Sequence, residues 1–314
     1  MATSIYAGGR LGDYHFGKDH PFGPARHAAF IRHYEQLGLD RRCTLSAPAM
    51  ADKVALERFH TAAYVERVET LSEVGEGFLD YGDTPAFPGV FEASARVVGT
   101  VLQAVDDMVA ERIQHAFVPI AGLHHARRDS AAGFCVFNDC GVAIESLRQV
   151  YGVRRIAYVD IDAHHGDGVF YAFEDDPDLI FADLHEDGRF LYPGTGSVEE
   201  TGKGVARGTK LNIPMPPGAN DQLFLQCWEQ VERFVDKAAP EFILLQAGAD
   251  SIAGDPITHM AYSSKAHRHA AERLCVLANR HCHGKLLALG GGGYNLRNLA
   301  EGWCAVVTAM IEST

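Results

Sequence analysis

The sequence predicts one α/β domain built around a parallel β-sheet flanked by helices. Two observations carry that prediction. Short, continuous apolar runs alternate with segments whose apolar residues recur every three or four positions. Polar and ionisable residues gather directly after several of those runs, as they do at the carboxyl ends of strands in open parallel sheets. The 314 residues contain no long Pro/Gly/Ser linker and no internal repeat, so a single domain over 1–314 is expected.

The strand-like runs fall, in order, at 116–120, 155–159, 179–182, 241–246 and 285–289. Helical spacing predicts helices over 89–112, 141–151, 221–238 and 263–281, with a closing helix over 298–311. Asp160, Asp162 and His164 follow the second run, His185 and Glu186 the third, Asp250 the fourth, and the 290–294 segment the fifth. Several separate strand ends then deliver polar groups to one edge of the sheet.

Composition excludes several classes. With 47% hydrophobic and 22% charged residues the chain is not disordered. Its 32 glycines cluster without a period, which excludes a collagen-like fibre. A net charge of −13 lacks the footprint of a nucleic-acid binder, so no nucleic-acid partner is expected. The 7 cysteines are scattered, with no C-x-x-C pair, as in a reduced cytoplasmic protein without a structural zinc finger. The first ten residues lack a secretory h-region, and no apolar run is long enough to span a bilayer, so no membrane association is expected.

The densest chemistry lies in the segment 160–168, Asp-Ile-Asp-Ala-His-His-Gly-Asp-Gly. In extended chain, alternate residues face the same way, so Asp160, Asp162 and His164 share a side. Asp162 and His164 are then close enough to bind one ion, and Asp250 is a natural third ligand. Mixed carboxylate and imidazole donors suit zinc or another first-row divalent metal. A solvated loop is the plainer alternative, but so many ionisable groups bracketed by glycine argue against it. His124 and His125 supply what a metal-activated water needs, a base and an acid. Asp160 and Asp167 are free to orient them by hydrogen bonds. Four glycines precede Tyr294, without the Gly-Lys-Ser/Thr ending of a phosphate loop. Composition and spacing leave two readings of Tyr294 open: packing in a turn, or a hydroxyl donating to an oxyanion.

These segments together resemble the zinc-dependent histone deacetylase family. The resemblance rests on Gly-Leu-His-His-Ala-Arg-Arg at 122–128, Ala-Gly-Phe-Cys-Val-Phe-Asn-Asp at 132–139, the 160–168 segment and Tyr-Pro-Gly-Thr-Gly at 192–196. Ala-Gly-Ala-Asp at 247–250, Gly-Asp-Pro at 254–256 and the 290–296 segment continue it in order. It spans nearly the whole chain and looks closer to class I and AcuC-type proteins than to acetylpolyamine amidohydrolases.

The resemblance implies a fold shared with arginase and a zinc ion on Asp162, His164 and Asp250, with Fe2+ as an alternative in cells. It pairs His124 with Asp160 and His125 with Asp167, and makes His125 the general base and acid. It assigns Tyr294 to the oxyanion. Gly133, Phe134, Tyr192, Ile257 and Gly292 would line the substrate site, Asp83 would hold the substrate backbone at the rim, and Arg26 would serve an internal acetate channel. One structural potassium ion would sit on Asp160, Asp162, His164, Asp183 and Leu184, and a second on carbonyls of Phe173, Asp176 and Leu179. Asp183 stands where the family often has serine, and Tyr192 where many relatives have phenylalanine.

The implied activity is hydrolysis of an acyl-lysine amide in proteins. An acetylpolyamine amidohydrolase is the rival reading. An arginase-type binuclear centre is disfavoured, because Gly166 follows Asp-Ala-His-His where a bridging aspartate is needed. A catalytically dead binding protein is disfavoured because every expected ligand and Tyr294 are present. Without the long tail of many eukaryotic deacetylases, the chain reads as a compact prokaryotic enzyme. Its assembly state is left open.

Overall fold

A computed structural model describes residues 2–314. Its strands are β1 (Ala2–Tyr6), β2 (Thr44–Ser46), β3 (Ile113–Val118), β4 (Ile156–Asp160), β5 (Leu179–Glu186), β6 (Lys210–Met215), β7 (Phe242–Gln246) and β8 (Leu286–Leu289). Its helices are α1 (Ala25–Gln36), α2 (Lys53–Leu56), α3 (Ala62–Val74), α4 (Val90–Val109), α5 (Asp139–Gln149), α6 (Asp167–Ala172), α7 (Asp221–Ala238), α8 (Ser264–His281) and α9 (Leu296–Glu312). The strands form one sheet, all parallel, in the order β2-β1-β3-β8-β7-β4-β5-β6.

The central strands β8, β7 and β4 are buried along their whole length, which explains why their sequences are unbroken apolar runs rather than alternating ones. Helices cover the sheet in packed groups. α9 lies against α1 and α8, while α4 lies against α5 and α3. Helix starts follow local chemistry: Asn220 accepts from Leu223 N at the head of α7, and Asn295 accepts from Arg297 N and Asn298 N at the head of α9. Among the described residues, no helix is long and apolar enough to cross a membrane.

The structure adds β1, β2, β6, α1, α2, α3 and α6 to the expected elements, and two differences have a local physical cause. β4 ends at Asp160, so the extended reading of 160–164 stops there. Beyond it the chain turns twice. Asp160 Oδ1 accepts from Asp162 N at 3.1 Å, and Asp162 Oδ1 accepts from His164 N at 3.0 Å. Short aspartates favour such side chain–backbone turns, and Asp160 Oδ2 bonds His124 and Tyr158 instead of joining the other two. The second difference is β6, which carries Lys210 and Pro214 and so lacks the apolar run that marks the inner strands. It is tolerated because it lies at the sheet edge.

His60 fastens the loop that precedes α5. Its Nε2 accepts from Asn138 N at 2.9 Å, and Asn138 in turn caps α5 and donates to Ala126 O at 2.8 Å. Burial lowers the His60 pKa to about 3. A histidine depressed from about 6.5 contributes stability that is present above 6.5 and lost as pH falls toward 3. Between pH 7 and pH 5 the loss from this group is expected to be about 2 kcal/mol. Urea unfolding of wild type and His60→Gln at the two pH values checks it. The glutamine variant should lose that much less stability on acidification.

Candidate active site

The carboxyl ends of β4, β7 and β8 converge on one point. Asp162 and His164 come from the turns after β4, and Asp250 from the loop after β7. All three are buried, and one donor atom of each lies within 4.8 Å of the others. His164 Nδ1 is 3.0 Å from Asp162 Oδ1 and 3.1 Å from Asp250 Oδ2. Burial pulls the His164 imidazole down, but Asp162 and Asp250 outweigh it and raise its pKa to about 10. Burial and the Asp162 charge push Asp250 up to about 7.

Two glycines make room for this cluster. A Cβ on Gly248 would lie 2.0 Å from Asp162 Oδ2, and one on Gly292 would lie 2.1 Å from Asp250 Oδ2. Gly292 N also donates to Asp162 Oδ2 at 2.8 Å. Two facing carboxylates and a ring nitrogen, buried together, suit a divalent cation with one further position open. The residues therefore fit a metal ion.

The tandem histidines stand beside the cluster. His124 Nδ1 is 2.8 Å from Asp160 Oδ2, and His125 Nδ1 is 2.7 Å from Asp167 Oδ1. The two Nε2 atoms face each other at 3.1 Å. Each Nδ1 must carry a proton to meet its carboxylate. The Nε2 pair forms a hydrogen bond only when one of the two also carries one. These proton positions follow from the partners. Burial and the neighbouring His124 lower the His125 pKa to about 4, against the pull of Asp167.

The walls of the approach are aromatic. Gly133 packs so closely that a Cβ would lie 2.6 Å from the His125 ring. The Tyr192 ring meets His125 edge-on at 5.1 Å, and the Phe134 ring meets Tyr294 edge-on at 5.9 Å. Phe134 has φ +66, a conformation unusual for a bulky residue. It is held by bonds from both sides: its N–H donates to Thr84 Oγ1 at 3.1 Å, and its carbonyl accepts from Tyr14 Oη at 2.7 Å. Asp83, Arg127, Gly133 and Tyr192 share an open cavity of about 510 Å³ at the mouth. Ile257 is half-buried, and its N–H donates to Asp255 Oδ1 at 3.1 Å.

A sequence profile described as the histone deacetylase domain matches residues 20–310. The chain belongs to the histone deacetylase family. Relatives agree. Acetoin utilization protein AcuC of Bacillus subtilis (strain 168) is 34% identical over 302 residues, covering 93% of this chain and 78% of that protein. Histone deacetylase 6 of Arabidopsis thaliana is 33% identical over 309 residues, covering 94% of this chain and 63% of that protein. The crystal structure of the HDA15 HD domain superposes with a TM-score of 0.92 at 26% identity, covering 99% of this chain and 88% of that one. The chain is thus a deacetylase, a hydrolase of a family that is generally metal-dependent, with a possible metal site at Asp162, His164 and Asp250.

In this deacetylase Arg26 is buried behind Tyr294. Its Nε donates to Gly293 O at 2.8 Å and its Nη2 to Gly291 O at 2.6 Å, while Nη1 has no partner among the described residues. Burial, with Asp250 adding to it, pushes the Tyr294 hydroxyl well above the usual phenol value. It therefore stays a donor. Near Asp160, the Asp183 carboxylate accepts from Gly166 N at 2.9 Å and meets His185 Nδ1 at 2.8 Å. His185 Nε2 faces Gly196 O at 2.9 Å. With oxygens at both nitrogens His185 is an imidazolium, so the extra carboxylate has its own buried counter-charge. Leu184 lies between these two residues in β5, also buried.

The second expected cation site differs. Phe173 O accepts from Asp176 N at 3.1 Å, and Asp176 O and Leu179 O each accept from Lys210 Nζ at 2.8 Å. The Lys210 ammonium already sits against two of the three carbonyls, and an ion beside it would meet its positive charge, so the potassium expected there does not fit.

Sequence reading missed three residues that position the site. Gln246 ends β7 and donates to Asp162 Oδ2 at 2.9 Å and to Gly122 O at 3.1 Å. Asp139 accepts from Gly122 N and Leu123 N, both at 2.9 Å, and so holds the loop before the histidines. Asp255 accepts from Tyr294 N at 2.8 Å. Only Gln246 left a signal of its own, a polar residue closing an apolar run.

Proposed function

We propose that this deacetylase hydrolyses the amide of an acyl-lysine side chain in a polypeptide. The observation that carries the reading is the imidazole pair, each ring held by its own carboxylate, beside the Asp162–His164–Asp250 cluster. Those three residues would hold zinc, or Fe2+ in cells. When bound, the ion polarises the amide carbonyl and acidifies a water molecule.

The chain's residues supply the remaining steps. His125, kept neutral by burial, accepts the water proton at Nε2 and passes a proton to the leaving amine. Asp167 fixes the ring that does so. His124, held by Asp160 through Nδ1, faces the His125 ring through Nε2 and fixes its position beside the reacting carbonyl. The Tyr294 hydroxyl donates to that oxyanion. Phe134, Tyr192 and Gly133 exclude water along the lysine stem, with Ile257 and Gly292 completing the inner wall. Asp83 accepts from the substrate backbone. The free Nη1 of Arg26 holds the acetate product. The oxygens around Asp160, Asp162, His164, Asp183 and Leu184 would hold one potassium ion. Asp160 and Asp183 are buried register partners on β4 and β5, which sets these oxygens side by side. Free cysteines support a cytoplasmic setting.

The cavity at the mouth favours a polypeptide over a small acylated amine, since its volume of about 510 Å³ admits residues flanking the lysine. A side-by-side turnover assay tests this, using acetyl-lysine peptides, longer acyl-lysines and acetylated polyamines, each with zinc and with iron. The peptide is expected to have the highest kcat/KM. A higher value for acetylated polyamines would replace this substrate class with the small-amine one.

A further inference from the structure

One buried side chain ties two carbonyls at the α6–β5 junction to the edge strand of the sheet. Lys210 opens β6, pairs in register with Phe181 of β5, and is 2% exposed. Its ammonium donates to Asp176 O and Leu179 O at 2.8 Å each, and to Thr209 Oγ1 at 2.9 Å. An ammonium has three donors and no acceptor, so three acceptors satisfy it completely. Thr209 Oγ1 is free to accept because its own proton goes to Ala206 O at 2.7 Å.

Two backbone carbonyls and a hydroxyl converging on one buried positive point make the coordination pattern of a hard monovalent cation. Ammonium and potassium are close in size and charge, so one can stand in the other's place. The surroundings would also resist a free ion. Arg148 pairs with the Asp176 carboxylate next to the cluster, and Lys203 with Glu174 at 2.6 Å. A second cation among these carbonyls would face the Lys210 ammonium directly. Burial lowers the Lys210 pKa to about 8, against the pull of Asp176 and Asp175, and leaves it charged at neutral pH.

We propose that the Lys210 ammonium is a covalently attached substitute for a structural monovalent cation, fastening the 173–179 segment to β6 without an ion from solution. The inference is independent of the substrate and of the catalytic steps.

Removing the ammonium should turn this place into a true ion site. Lys210→Ala leaves the carbonyls around an empty space, and its melting temperature should fall in choline chloride. Potassium or ammonium chloride should recover at least half of that fall, through preferential binding to the folded state. The same salts should raise the wild-type melting temperature by clearly less. Lys210→Met fills the space with an uncharged chain, so it should lose stability and gain no rescue. Equal loss of Lys210→Ala stability in every salt overturns the proposal, as does equal rescue of the Met variant. Should the alanine variant fail to fold, wild-type crystals soaked in rubidium chloride decide. Anomalous density between the Asp176 and Leu179 carbonyls overturns the proposal, and its absence there supports it.

Discussion

Tyr294→Phe is expected to lower kcat about 10²–10³-fold, the usual effect of removing one oxyanion donor from a water-poor site. KM should change little, because the ring stays. Phenylalanine keeps the edge-on contact with Phe134 at 5.9 Å and the backbone bond to Asp255 at 2.8 Å. Only the hydroxyl is lost, and burial beside Asp250 holds that hydroxyl in its protonated, donating form. Steady-state kinetics with an acetyl-lysine peptide, with a melting curve for each protein, checks this. Unchanged turnover in a folded Tyr294→Phe protein, or in His125→Ala, removes the proposed mechanism.

Stripping the metal with a chelator should abolish turnover, and adding back zinc should restore it. Stability should follow, since an ion at 100 times its Kd adds about 2.7 kcal/mol to the folded state. The pH dependence has a definite sign. Without metal, Asp250 has its pKa raised to about 7, chiefly by burial and then by Asp162. A raised carboxyl contributes stability that is fully present below its unfolded value near 3.9 and lost as pH rises through about 7. Protons and metal therefore compete, and the melting-temperature gap between loaded and stripped protein should widen from pH 6 to pH 8. Differential scanning calorimetry at both values checks it. A gap that narrows over that range removes the expected competition between protons and metal at this cluster.

The parts of the fold that were legible in the sequence are those that water never touches. β4, β7 and β8 are buried on both faces, so selection for apolar side chains is unbroken, and their runs were read almost to the residue. α7 matched its expected 221–238 bounds because Asn220 caps it. β1 and β2 are short, with Thr and Ser between their apolar residues, and β6 mixes Lys, Asn and Pro into its strand; none shows a continuous run. The histidine–aspartate pairs lay within reach because both partners are ionisable and sit in dense motifs. The positioning roles of Asp139 and Asp255 did not, although both residues sit inside those motifs, and Gln246 showed only as a polar residue closing an apolar run. They act on backbone N–H and carbonyl groups, and a chain read in one dimension does not reveal which of its main-chain groups lack a partner.

The spread of the metal cluster along the chain sets when the enzyme can begin to work. His164 and Asp250 are separated by 86 positions, and Tyr294 lies later still. As the ribosome releases the chain, at about 5–20 residues per second, β4 emerges without β7 and β8, the neighbours that complete the cluster. A nascent chain therefore offers the ion only two of its ligands for several seconds. A metal ion that needs all three residues can be held only at the closing stage of folding, once the centre of the sheet has formed.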